Sequence, residues 1–337
     1  MNILILGGSP FLGRHLARQA AERGHQATLL CELLDTSAAP SGVTCLRPAS
    51  AGDLSPLGTQ QFDACIDVDG EDPASVTQRA AELRERCGHV TFISTVAVYK
   101  ASRRTGLAEG DAVDLGSSAD ELTRGNRKAR CEEIWREHAG DNLLILRPGL
   151  VVGPHDPTDR FTYWVERLAQ GGEVLCPGPR DQRVQLVDAR DLAQWAIACI
   201  EEERVGTFNA TGPERGLPLS ELFERAAAEF QSVARLTWVD SSFLEERGVQ
   251  PWSELPLWAP EGAERGLLTV DVRKARAAGF RNRRVEDTLQ ATLKWVQQET
   301  HRDRRAGLSA ERERELLGAW RSDGHSARRP TMAGREI

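Results

Sequence analysis

The sequence predicts an α/β fold, a doubly wound parallel sheet with a smaller C-terminal lobe. Three observations predict it. The first 25 residues read as a strand, a glycine turn and a helix. Short apolar runs then alternate with amphipathic stretches as far as Arg147. Beyond that point the elements become smaller and are broken by proline. The expected division is residues 1–180, mainly the dinucleotide-binding sheet domain, and 181–320, mainly the substrate lobe, with the chain crossing back. A tail of 321–337 has no apolar periodicity and is expected to be disordered.

Each element has its own warrant. Ile3-Leu4-Ile5-Leu6 is the length of a buried parallel strand. Gly7, Gly8 and Gly13 make a tight turn, and from Leu12 the apolar residues Leu12, Leu16 and Ala20 fall on one helical face. Strand, glycine turn and helix open the Rossmann-type, dinucleotide-binding unit, in which bare glycine backbone lets a pyrophosphate approach a helix N-terminus. Pro10, in the middle of the turn, has no N–H to offer a phosphate. Ala27–Leu30 is a second strand, and Glu32 follows it where such folds read the adenosine ribose. A carboxylate there accepts from both ribose hydroxyls and repels a 2′-phosphate, which favours NAD over NADP. Further strands are expected at Val43–Leu46, Ala64–Val68, Val90–Ser94 and Leu143–Arg147, with helices over Ser75–Cys87 and Asp120–His138. Residues 101–122 read as a surface loop over the ligand-binding edge. Gly153–Trp164 reads as a proline-broken loop and candidate substrate wall, carrying His155, Arg160 and Tyr163. In the lobe, strands are expected at Val184–Val187 and Thr207–Ala210. Helices are expected at Asp191–Glu202, Ser220–Phe230, Val285–Thr300 and 309–320. Asp188 and Asp191, flanking Arg190, suit a local charge pair or helix cap.

Composition narrows the class. The 337 residues are 40% hydrophobic and 28% charged, as in ordinary globular proteins, and no apolar run approaches the roughly 20 residues of a membrane span. No basic segment precedes the first strand, so no signal peptide is expected. A net charge of −7 argues against sequence-independent nucleic-acid binding. Seven scattered cysteines without a C-x-x-C pair suggest neither a zinc site nor a disulfide framework, and a reducing cytoplasm is the natural setting. No carboxylate–histidine cluster has metal-ligand spacing.

Four motifs fall in a telling order: Gly7-Gly8-Ser9-Pro10-Phe11-Leu12-Gly13, Ser94-Thr95-Val96-Ala97-Val98-Tyr99, Lys128 with Cys131-Glu132, and Arg147-Pro148-Gly149. Together they resemble the extended short-chain dehydrogenases/reductases, specifically the NAD-dependent epimerase/dehydratase group, over about residues 1–320. The resemblance implies NAD as cofactor, contacted by Gly7, Ser9, Phe11, Leu12, Gly13, Glu32 and Lys128. It also implies a catalytic set of Ser or Thr, Tyr and Lys, in which the lysine lowers the tyrosine's pKa and binds the nicotinamide ribose. Thr95 and Lys128 match that set. Arg124 stands one helical turn before Lys128 where the tyrosine belongs, followed by the expected Gly125. Arginine stays protonated and is no base, but its fork can polarise a carbonyl or hold an oxyanion. The only tyrosines, Tyr99 and Tyr163, lie off that helix.

Other departures follow the same direction. Pro48-Ala49 occupies the region of the acid that reads adenine. Asp69 and Glu71 lie where the pyrophosphate and ribose belong, and cost affinity unless turned away or paired. The arginine that grips a nucleotide-sugar phosphate aligns with Val184, so a nucleotide-sugar substrate is not expected. The leading expectation is an atypical NAD(P)-dependent oxidoreductase or epimerase acting on a small metabolite. Thr95, Arg124 and Lys128 form its site, with Tyr99, Tyr163 or His155 as proton sources. The alternatives are a redox-neutral isomerase, cyclase or lyase that keeps the cleft of a degenerate Rossmann fold and has lost hydride chemistry, and a non-catalytic nucleotide-binding protein. A homodimer through the helices near 75–87 and 120–138 is the remaining partner expectation, set against the arginine-rich face of Arg84, Arg86, Arg124, Arg127 and Arg130.

Overall fold

Alternation within the first strand sets the layering. In β1 (Asn2–Leu6), Ile3 and Ile5 enter one hydrophobic core while Leu4 and Leu6 enter another on the opposite face. The computed structural model describes residues 1–7, 9–32, 41–50, 52–100, 103–117, 122–260, 265–299 and 303–324. After β1 come β2 (Gln26–Leu30), β3 (Val43–Leu46), β4 (Phe62–Asp67), β5 (Cys87–Ile93) and β6 (Leu143–Pro148). Then follow β7 (Leu150–Val152), β8 (Glu173–Pro177), β9 (Arg183–Val184), β10 (Leu186–Asp188), β11 (Gly206–Ala210), β12 (Leu217–Pro218) and β13 (Arg235–Val239). Seven of them form one sheet, ordered β11-β6-β5-β4-β1-β2-β3, with every neighbouring pair parallel. The order reverses between β1 and β4, and a ligand crevice belongs at the carboxyl ends of those strands. The expected doubly wound sheet is therefore what the chain forms.

The helices are α1 (Arg14–Glu22), α2 (Pro73–Leu83), α3 (Arg124–Ala139), α4 (Thr162–Gln170), α5 (Ala189–Glu201), α6 (Leu219–Glu229), α7 (Ser241–Glu246), α8 (Arg273–Ala277), α9 (Val285–Gln298) and α10 (Ala310–Ser322). One sheet face is covered by Leu16, Ala17 and Ala20 of α1 and by Leu192, Ala193 and Ala196 of α5. The other is covered by Val76, Ala80 and Leu83 of α2 and by Cys131 and Trp135 of α3. A third core, built around Trp164, Phe223 and Trp258, binds α4, α6 and α10 to the parallel pair β8–β13. All seven cysteines are free.

Several boundaries differ from expectation, each for a local reason. Strand β5 begins at Cys87, which pairs with Phe62, so the preceding helix stops at Leu83. That helix starts at Pro73 because Asp72 caps it, accepting from the Ser75 N–H at 2.9 Å. The helix expected from Asp120 begins at Arg124, where Thr123 and Asn126 form a reciprocal capping box; residues 118–121 lie outside the described residues. The loop expected through Trp164 ends earlier, since α4 starts at Thr162. The single strand expected at Val184–Val187 is two. Gln185 interrupts it: β9 pairs antiparallel with β12, and β10 parallel with β7. The Gln185 side chain is buried and donates to the Val270 carbonyl while accepting from its N–H. Strands β8 and β13 carried no expectation. Arg321 and Ser322 belong to α10, and residues 325–337 of the expected tail lie outside the described residues.

Candidate active site

The crevice holds a cleft of about 240 Å³, bounded by Phe11 and Leu12 of the glycine turn, the ends of β4 to β6, the start of α3 and the 156–160 segment. Three of the side chains singled out from the motifs, Thr95, Arg124 and Lys128, line it together with Arg160.

Backbone geometry explains the meeting. Thr95 follows β5 and caps a short helical turn over Val96–Val98, its Oγ1 accepting from the Ala97 N–H at 3.2 Å. That leaves the hydroxyl hydrogen available to a ligand. Helix α3 then lands on the same turn. A Cβ at Gly125 would lie 2.1 Å from the Ala97 carbonyl oxygen, so only glycine permits this approach. The landing sets Arg124 at the rim and Lys128, one turn on, inside.

Lys128 is 1% exposed. Its Nζ donates to the Ile93 carbonyl at 2.7 Å and the Val68 carbonyl at 3.1 Å, and lies 4.9 Å from the centre of the Phe92 ring. Two of its three N–H groups are thereby used. Burial lowers its pKa to about 8, opposed by Asp67 and assisted by Arg124. Arg124 spends its fork on Glu71, with Nε at 2.6 Å and Nη2 at 2.5 Å from Oε1. Burial pushes the Glu71 carboxyl up, but Arg124, with Lys128 and Arg127 behind it, holds it net below the usual range. Glu71 is therefore paired and ionised near neutral pH. Asp69 lies against the glycine turn. A Cβ on Gly7, whose φ is 72°, would fall 2.1 Å from the Asp69 carboxyl. Glu32 is exposed at the end of β2, and Asp69 lines both the cleft and the neighbouring cavity that holds Glu32 and Gly7. The side chains of Ser9 and Pro10, and all of Gly8, lie outside what the structure describes.

The other three candidates stand apart from the cleft. Tyr99 is buried in a small core and donates to Asn209 Oδ1 at 2.7 Å, with the Arg147 guanidinium 4.9 Å from its ring centre. Burial raises its pKa. Tyr163 is fully buried between Trp164 and Gly307, and burial raises its pKa as well. His155, at φ 72°, lies between His15 and Trp295; burial, helped by Arg14 and His15, lowers its pKa to about 4.

Beneath the cleft lies a buried network whose two halves appear in the sequence motifs. Arg147 donates to both oxygens of Glu132, at 2.8 and 2.6 Å, and Ser94 Oγ donates to Glu132 at 2.5 Å. It ties β5, β6 and α3 together directly under Thr95. Asp188 caps α5 and takes the fork of Arg190, the local pairing expected of it. The partnership of Glu71 with Arg124 and the stacking of Arg160 on Trp252 join residues 53 and 92 positions apart, and no local pattern signals either. Among the described residues no helix is long and apolar enough to cross a membrane, and no three His, Cys, Asp or Glu side chains gather as a metal site.

The model of the NAD dependent epimerase/dehydratase family matches residues 3–210. Among characterised proteins, the chain is 25% identical over 228 residues to chloroplast stem-loop binding protein of 41 kDa b from Arabidopsis thaliana, covering 62% of this chain and 58% of that protein. The match thus spans less than two thirds of the plant relative. It is also 25% identical over 254 residues to a dTDP-4-dehydro-6-deoxy-D-allose reductase from Streptomyces, covering 63% of this chain and 76% of that enzyme. The fold is similar to that of UDP-glucuronic acid 4-epimerase from Bacillus cereus in complex with NAD, with a TM-score of 0.65 at 15% identity over 88% of this chain and 97% of that one. It is likewise similar to the UDP-glucose 4-epimerase of Thermus thermophilus in complex with NAD, with a TM-score of 0.61 at 18% identity over 89% and 100% of the two chains.

Proposed function

Because the chain belongs to the NAD dependent epimerase/dehydratase family, we propose that it is a dinucleotide-dependent oxidoreductase or epimerase in which proton handling falls to Lys128 and Thr95 rather than to a tyrosine. The observation that carries this reading is the meeting of a desolvated lysine and a hydroxyl donor in one cleft, beside the glycine turn. Glu32, the Gly7–Gly13 turn and Lys128 would hold the cofactor, and NAD, when bound, supplies hydride exchange with a substrate carbon. The residues suit such a group. A bare Gly7 ends β1, a carboxylate ends β2, and Lys128 keeps one N–H beyond its two carbonyl partners.

Near neutral pH the Lys128 ammonium can release and regain a proton at Nζ, since its pKa is about 8. Thr95 Oγ1 can donate to a substrate oxygen. Arg124, held by Glu71, orients and polarises without exchanging protons. Tyr99 and His155, committed elsewhere, are not needed for this step.

The test is calorimetric titration of the purified chain with NAD(H) and NADP(H), beside mass spectrometry of any small molecule that co-purifies. NAD is expected to bind more tightly than NADP, and Glu32→Ala is expected to weaken NAD and narrow that gap. Absence of any response to either dinucleotide would overturn the reading. One observation favours a second reading in that event. Asp69 packs on Gly7, where a pyrophosphate would sit, while Lys128, with one N–H left, lines the same cleft as Arg124 and can stabilise an enolate in redox-neutral chemistry. The net charge of −7 gives no support for carrying over the stem-loop binding named for the plant relative.

A further inference from the structure

Three cations line the cleft, and their engagements differ. Lys128 spends two N–H groups on carbonyls and Arg124 spends its fork on Glu71. Arg160 spends nothing. Among the described residues its guanidinium makes no hydrogen bond and no ion pair. It rests instead on Trp252, with the guanidinium carbon 5.5 Å from the ring centre. Several other half-buried or buried arginines here hold a carboxylate. Arg147 holds Glu132, Arg167 holds Glu313 and two carbonyls, Arg190 holds Asp188, and Arg283 holds Asp191.

The segment that carries Arg160 is built to hold it still. The buried Asp156 accepts from the Thr158 N–H and hydroxyl, both at 2.8 Å. The buried Asp159 accepts from the Arg305 N–H at 2.8 Å, and its own carbonyl accepts from Tyr163. Desolvating a guanidinium without a matching acceptor costs free energy, and a flat aromatic platform only partly offsets it. A fixed, stacked fork with its donors unspent is an acceptor site for a planar or tetrahedral oxyanion.

We propose that the substrate carries a compact oxyanion, a carboxylate or a phosphate ester, and that Arg160, braced on Trp252, is its anchor. The anchored group then lies in the same cleft as Thr95 and Lys128, so the anion fixes which end of the molecule reaches them. Asp156, the nearby negative charge, tempers the site and Arg124 reinforces it. This inference rests on the reading of the cleft as a substrate site and is independent of whether a dinucleotide binds.

Inorganic phosphate, malonate and UDP serve as probes. Each is titrated at constant ionic strength, followed by tryptophan fluorescence and by melting temperature, for the wild type, Arg160→Gln, Arg160→Lys and the exposed-surface control Arg84→Gln. Phosphate or malonate is expected to bind the wild type and Arg84→Gln alike. Arg160→Gln is expected to bind at least about tenfold more weakly, with Arg160→Lys in between because it keeps the charge and loses the fork. A response to phosphate alone assigns a phosphate ester, and to malonate alone a carboxylate. The proposal is overturned if Arg160→Gln keeps the full response, if neither small anion acts on the wild type, or if UDP alone acts. Melting in chloride buffer reads the fold of each variant, and Arg160→Lys decides if Arg160→Gln is unfolded. NAD titration of the same samples separates the two readings: anion binding lost in Arg160→Gln without any NAD binding leaves this inference standing and removes the dinucleotide.

Discussion

Asp69 and Lys128 make opposite demands on a bound anion. The Asp69 carboxyl leans on Gly7, on the ground a pyrophosphate needs, while Lys128 offers it a cation from below. Asp69 is exposed, so its repulsion is screened and amounts to a modest factor. Asp69→Ala is expected to bind NAD roughly three- to tenfold more tightly than the wild type. Calorimetry checks this, and unchanged or weaker binding would mean that the carboxylate helps to hold the cofactor. Lys128 makes a prediction in pH. Its folded pKa is about 8 against an ordinary 10.5. Between those values the unfolded chain binds the proton more strongly, so the Lys128 contribution to stability rises with pH through that window and is flat below pH 8. Urea denaturation of the wild type and Lys128→Met, compared from about pH 7 to 10, is expected to show the wild type gaining on the variant above pH 8. A difference that stays constant with pH would refute the shift.

At the scale of elements, the start of α3 decides the site. Thr123 and Asn126 fix the first turn, and Gly125 lets it rest on the Ala97 carbonyl. Gly125→Ala places a methyl 2.1 Å from backbone oxygen, which cannot be relieved by rotating a side chain. We expect a loss of about 1–3 kcal/mol in urea denaturation, with weaker NAD and anion binding as Arg124 and Lys128 are displaced. A variant as stable as the wild type would show that the helix slides freely. The central strands and the helices facing them were legible because their apolar periods are local. Ile3–Leu6 and Leu16–Ala20 announce their own type and face. The start of α3, expected at Asp120 and found at Arg124, was misplaced because a capping box ends a polar loop without changing its composition. Strands β8 and β13 escaped notice for another reason. Their pairing joins Glu173 to Arg235 and Cys176 to Trp238, and β13 is only half-buried along most of its length. The break at Gln185 likewise depends on a carbonyl and an N–H at Val270, 85 positions away.

Across the whole molecule, the sheet and its cleft are braced by a continuous buried polar chain. Ser94 and Arg147 meet Glu132, Arg147 covers Tyr99, and Tyr99 holds Asn209. Asn209 in turn donates to Leu107 and Asp271 while its own N–H reaches Glu109. It joins β5, β6, α3 and β11 to the loop after Tyr99. The motifs carrying Thr95, Lys128, Glu132 and Arg147 were legible as a set. Their division into cleft-lining and bracing members was not, because that depends on which side of the strand ends each side chain takes. Burial pushes the Glu132 carboxyl up, yet Arg147 and Ser94 hold it net below the ordinary range. Its contribution is therefore present above the unfolded carboxyl pKa near 4.5 and lost as pH falls through the depressed folded value. Glu132→Leu or Arg147→Met alone strands one buried partner. Either is expected to cost about 3–5 kcal/mol at neutral pH, a large share of a total of roughly 5–15 kcal/mol. The double variant Glu132→Leu, Arg147→Met removes both charges and is expected to be less destabilised than the sum of its parts, with an interaction term above about 1 kcal/mol in a double-mutant cycle. Additive losses would mean that the two side chains act separately. In that case the platform under Thr95 is held by packing alone, and variants of this pair should leave anion binding at Arg160 untouched once their melting is allowed for.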